Sequence, residues 1–362
     1  LAFSVPVIIL PYYCVIGGWV TKYITVYITG QTADAAQDGY FGGFIGKEYA
    51  PLVFFIIFLV LTSVIVILGV EKGIEKFSKV LMPLLIVLAV AISVYICTIP
   101  GALDGVKYYL LPDFSKFSLK TVCAAMGQMF YSMSLAMGIM ITYGSYTRDD
   151  VSLVKSVNQI EIFDTIIALL AGMMVIPAVY VFSGEAGMSS GGAGLMFITL
   201  PKVFAQMKGG VILGLLFFVL VFFAAITSSV SVMEAITSML MDKFNITRLK
   251  SCAIIFVICI ILGVPSSLGN GIWSGITLLG MDFLTFFDYI SNSVIMPIVA
   301  LCTSILIGWN VGTKIIIEEV CKNGEHFKRK TIYELVIKYI APVFLIVILV
   351  VYSLAQFNII SL

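Results

Sequence analysis

The sequence predicts an all-α membrane protein, a bundle of about nine spanning helices, on three observations. Of its 362 residues, 60% are hydrophobic and 11% charged, against roughly a quarter charged in soluble domains; the mean hydropathy is +1.11. Apolar runs recur at the ~20-residue length that crosses about 30 Å of hydrocarbon. No stretch alternates at barrel spacing, so helices are the spanning element.

The runs are 1–29, 50–70, 77–100, 121–146, 158–183, 210–241, 249–267, 284–308 and 333–358. The longest connections are 101–120, 184–209 and 309–332. Residues 1–362 therefore read as a single transmembrane domain. The chain opens on Leu1 and is apolar from there, with no charged leader. Because 1–29 is already a full span, a further segment is expected upstream.

Charge excludes some functions and orients the chain. Twenty-one Lys and Arg against 20 Asp and Glu leave +1, with no basic surplus for nucleic acid. If the first helix runs outward from the cytoplasm, 14 basic residues fall on the inner side and seven on the outer. Positive residues favour the cytoplasm, so a plasma-membrane, multi-pass protein with an external C-terminus is expected. Seven scattered cysteines without a CxxC pair argue against a disulfide framework or zinc site. The single histidine, His326, lies in a charged loop. No nucleophile–base or metal constellation appears, so an enzyme is not expected.

Polar residues inside spans carry the functional signal, because hydrocarbon penalises them. In 121–146, Ser132, Ser134, Ala136 and Gly138 alternate with bulky residues. Two readings stand: small residues for close helix approach, or a helix that breaks near 134–138 and turns its freed polar groups to a ligand. In 158–183, Asp164, Ala168 and Gly172 form a small-residue stripe that must face another helix, and a carboxylate buried there needs a cation or proton. In 210–241, the carbonyl of Ala224 and the hydroxyls of Thr227 and Ser228 converge on one patch. These are hard donors suited to an alkali cation, unless the hydroxyls only back-bond to the preceding turn. Glu234, in the same span, reads either as a functional acid or as a structural anchor.

The segments PYYCVIGGW, GQMFYSMSLAMGIMITYGSY, ITSSVSVMEA and FFDYISNSVIMP, with KGIEKFSKVLMP and FITLPKVFAQ, resemble in order the neurotransmitter:sodium symporters, especially their bacterial amino-acid transporters. The resemblance labels the spans as family helices three to eleven of an inverted-repeat fold. It implies two missing N-terminal helices, which would supply further ligands and the gate arginines. Ala224, Thr227 and Ser228 then match one sodium site, and Ser132 and Asp164 match ligands of the other. Ile9, Tyr13, Tyr131, Ser134, Met137, Ser228 and Val232 match the substrate pocket, with the Tyr13 hydroxyl on the substrate carboxylate. Gln128 and Asp288 match the outer gate, Tyr146 and Asp242 the inner one, and Gly73 with Pro83 a helix-unwinding pair.

The implied function is sodium-coupled import of small hydrophobic amino acids by alternating access. Na⁺ would be the coupling ion, with no cofactor, and the carboxylate of Asp164 would make chloride unnecessary. Substrate, sodium and the lipid bilayer are the expected partners, besides the missing helices. A proton-coupled permease of the same fold and a non-transporting remnant or membrane scaffold are the alternatives. The methyl of Ala136, expected to restrict positive φ and fill pocket space, and the hydroxyl of Tyr131 favour alanine- to leucine-sized substrates over tryptophan.

Overall fold

The computed structural model describes residues 1–188, 191–322 and 324–356. Residues 357–358 of the ninth expected span lie outside them. Among the described residues, eight helices are long and apolar enough to cross a membrane. They are α1 (Ser4–Ile28), α2 (Ala50–Ile67), α3 (Val70–Cys97), α7 (Leu153–Gly184), α8 (Gly210–Phe244), α9 (Arg248–Leu268), α10 (Phe283–Val311) and α11 (Lys330–Leu354). Three shorter helices fall between α3 and α7: α4 (Ala102–Leu110), α5 (Leu119–Ser132) and α6 (Ile139–Ser145).

The fourth expected span is thus α5 and α6, two halves separated by a break. Between them Ser134, Ala136 and Gly138 take left-handed φ values of 53°, 59° and 77°. The alternation of small with bulky residues follows from this backbone: every second position is left-handed, and a large side chain there meets its own carbonyl. A non-glycine residue pays roughly 1–2 kcal/mol for such a conformation. Of the two readings of this segment, the broken helix is the one the chain adopts. Ala136 adopts positive φ despite its methyl, within the small left-handed region that an L-residue can reach.

The long helix α1 forms the core, packed against α2, α8 and α9. Glycines let the backbones close in. A Cβ added to Gly18 would lie 2.6 Å from the backbone nitrogen of Phe55, and one on Gly17 would lie 2.5 Å from the ring of Phe58. Around this core, α3 packs on α7 and α8, and α10 packs on α11. The stripe on α7 meets α4: Tyr109 donates to the Ala168 carbonyl at 3.4 Å. A Cβ on Gly172 would come within 2.1 Å of the Tyr109 ring.

Helix α3 begins irregularly. Its first turn is wide, with the Ile74 N–H reaching the Gly69 carbonyl at 3.1 Å. Gly73 sits in that turn, where an added Cβ would lie 2.2 Å from the Ile65 carbonyl oxygen. Pro83 follows inside the helix, where its missing N–H removes one rung of the hydrogen-bond ladder.

Candidate functional site

The break in the α5–α6 pair opens onto a cavity of about 520 Å³ between α1, α3, α7 and α8. Its wall contains all seven expected pocket residues: Ile9 and Tyr13 from α1, Tyr131, Ser134 and Met137 around the break, and Ser228 and Val232 from α8. Ser132, Asp164, Thr227 and Gln128 line the same space. Ile9, Met137 and Val232 are buried apolar surfaces, whereas the hydroxyls of Tyr13, Ser134 and Ser228 supply a polar side. Tyr13 and Ser228 both line the cavity. Ala136 lines a different, mostly apolar cavity of about 300 Å³ beside α10 and α11. Its methyl therefore takes no volume from the first one.

Two oxygen clusters border the cavity. On α8 the Thr227 hydroxyl donates to the carbonyls of Phe223 and Ala224 at 2.9 and 3.0 Å. Back-bonding is therefore present, yet it leaves the hydroxyl lone pairs free to accept a cation beside the Ala224 oxygen. Back-bonding and cation binding are compatible here. The donor set is all oxygen, which fits a small hard cation. On the opposite side the Ser132 hydroxyl donates to Asp164 Oδ1 at 2.6 Å, joining α5 to α7. Asp164 is half-buried.

The expected gate residues divide. Gln128 and Asp288 line a second cavity, of about 340 Å³, which shares Tyr131 with the first. Asp288 accepts from Asn292 Nδ2 at 2.7 Å, and the same amide reaches the Tyr12 hydroxyl at 3.1 Å. Sequence reasoning missed Tyr12 and Asn292, although Asn292 stands four residues after Asp288 on the same helix. At the other end Asp242 is exposed. The Tyr146 hydroxyl donates instead to Glu234 Oε1 at 2.7 Å, and Arg248 clasps that carboxylate at 2.5 and 2.9 Å. Glu234 is thus a structural anchor. Its partner Arg248, at the mouth of the next span, went unnoticed for lack of any local signal.

Three hydroxyl contacts dock the half-helix α6 on α8. Besides Tyr146–Glu234, Tyr143 donates to Ser231 at 2.8 Å and Thr142 meets Ser238 at 3.3 Å. Ser231 in turn donates to the Thr227 carbonyl at 3.1 Å. The oxygen cluster on α8 is therefore connected through the helix to the α6 side of the break.

A model of the sodium:neurotransmitter symporter family matches residues 45–361. An uncharacterized sodium-dependent transporter of Haemophilus influenzae is 31% identical over 70% of this chain and 54% of its own length. The uncharacterized sodium-dependent transporter YhdH of Bacillus subtilis is 30% identical over 69% of this chain and 55% of its own. The chain thus spans about half the length of these curated relatives. The crystal structure of MhsT in complex with L-phenylalanine superposes with a TM-score of 0.85 at 35% identity, covering 96% of this chain and 79% of that one. With the broken helix, the long apolar spans and the family match in agreement, the chain belongs to the sodium:neurotransmitter symporter family, a family of membrane transporters.

Proposed function

We propose that the full-length protein is a sodium-coupled symporter that imports small hydrophobic amino acids across the plasma membrane by alternating access. One observation carries this reading: the seven pocket residues meet in a single cavity flanked by two clusters of hard oxygen donors. Ala224, Thr227 and Ser228 would hold one sodium ion, and Ser132 with Asp164 would contribute to a second. A cation coordinated between the broken helices would favour the outward-open state by binding it more tightly than the other. Tyr13 would take the substrate carboxylate, and Ile9, Met137 and Val232 the side chain. Gln128 with Asp288, and Tyr146 with Asp242, would act at the outer and inner gates. Gly73 and Pro83 would let α3 loosen when the ion leaves. The phenylalanine complex of MhsT supports a hydrophobic amino acid as the substrate class.

The test is uptake by reconstituted full-length protein, with alanine, valine, leucine, phenylalanine and tryptophan competing against one labelled substrate. Sodium-dependent uptake is expected, with valine and leucine competing best. Best competition by tryptophan would refute the preference for small side chains, for which Tyr131 is the remaining support, and sodium-independent uptake would refute the coupling.

The carboxylate of Asp164 supplies a fixed negative charge beside the Ser132 hydroxyl. Uptake is therefore expected to persist when gluconate replaces chloride, and Asp164→Asn to lose uptake or make it chloride-dependent. A strict chloride requirement in the unmutated protein would overturn this assignment.

A further inference from the structure

The loop joining α9 to α10 is unusual for a segment outside the spans. From Gly269 to Met281 it carries no charge, yet Ile272, Ile276 and Leu279 are 57%, 50% and 65% exposed. Its tip is a tight two-residue turn. Leu278 and Met281 exchange backbone hydrogen bonds at 2.8 and 3.0 Å, with Leu279 at φ 52° and Gly280 at φ 79°. Such a turn favours Asn-Gly, because both central residues need positive φ. A leucine there is strained and fully presented. In water an apolar cluster of this kind is an association hazard.

The surroundings indicate what covers it. Gly271 packs on the backbone of Gly46, where an added Cβ would lie 2.7 Å from the carbonyl oxygen. That contact sets the loop beside exposed Tyr49 and the first residue of α2, Ala50. The loop therefore lies level with the end of a span. The Trp273 ring lies tilted against Phe283 at 6.2 Å, and Phe283 against Phe287 at 6.5 Å. These rings continue from the loop down the first turns of α10, as aromatic residues do at a membrane boundary. Its exposed apolar side chains stand in a loop whose own residues carry no charge, which suits contact with lipid.

We propose that Ile272, Ile276 and Leu279, with Trp273, seat this loop in the headgroup–acyl boundary of the bilayer. The seat anchors the start of α10. Asp282 caps that helix, accepting from the Thr285 N–H at 3.0 Å and from its hydroxyl at 2.6 Å. Asp288 follows less than two turns later, so lipid contact at Leu279 steadies the helix that carries it.

The experiment uses full-length protein, one copy per nanodisc, in phosphatidylcholine brominated high on its acyl chains. Subtracting the emission of Trp273→Phe isolates Trp273. That emission is expected to be quenched by the brominated lipid, as the position of an interfacial tryptophan implies, and to resist aqueous iodide. Ile276→Asp with Leu279→Asp should reverse the two quenchers. If that pair fails to fold, Ile276→Ser with Leu279→Asn, which suits the turn, gives the same comparison. Stronger quenching by iodide in the unmutated protein would overturn the proposal. So would protection from both quenchers, which would mean that protein covers the loop.

Discussion

Thr227→Ala with Ser228→Ala is expected to abolish sodium-dependent uptake by the full-length protein. Each hydroxyl offers one contact to a cation, and hydrogen bonds involving a charged group are worth about 1.5–3 kcal/mol. Losing two such contacts corresponds to about a hundredfold or more in sodium affinity. Folding should be little affected. The Thr227 hydroxyl bonds only to the preceding turn of its own helix, and Ser228 faces the cavity. The double variant should therefore keep its melting temperature in detergent while sodium raises it less than in the parent, because one of two ligand sites for the folded state is lost. Unchanged sodium dependence of uptake would rule out this site.

The site was legible where its signal was local. Ser132, Ser134, Ala136 and Gly138 at every second position announced an irregular backbone, and positive φ at three of them explains the pattern. Thr227 and Ser228 next to Ala224 could be placed on one patch from helical spacing alone. What failed depended on tertiary packing. Sequence pointed the methyl of Ala136 into the substrate space, but the twist of the break turns it toward α10 and α11. Asp164 lies mid-span and is half-buried, and its depth depends on which helices lie beside α7. Lateral position in a bundle is not encoded in a span's own hydropathy. Nor was the destination of the Tyr146 hydroxyl, since Glu234 is 88 residues away.

That last contact carries the second large effect. Glu234 is fully buried, and its oxygens accept from Tyr146 on α6 and from both terminal nitrogens of Arg248 on α9. Arg248 also donates to the Val66 carbonyl at the end of α2, at 3.1 Å. One carboxylate thus ties four helices together. Removing one member of a buried ion pair typically costs about 3–5 kcal/mol, because the other charge remains buried without its partner. The Arg248 side chain is 22% exposed, so some water can reach it and the lower end of that range applies. Glu234→Ala is expected to destabilise by about 3 kcal/mol, and Tyr146→Phe by less, since it removes one hydrogen bond and leaves the ion pair. Arg248→Met combined with Glu234→Met should recover much of the loss, as paired apolar replacements of buried ion pairs often do. Thermal and denaturant unfolding in one detergent, compared across these variants, measures the coupling directly. An additive double variant, or a Glu234→Ala protein as stable as the parent, would mean that the carboxylate does not hold the four helices.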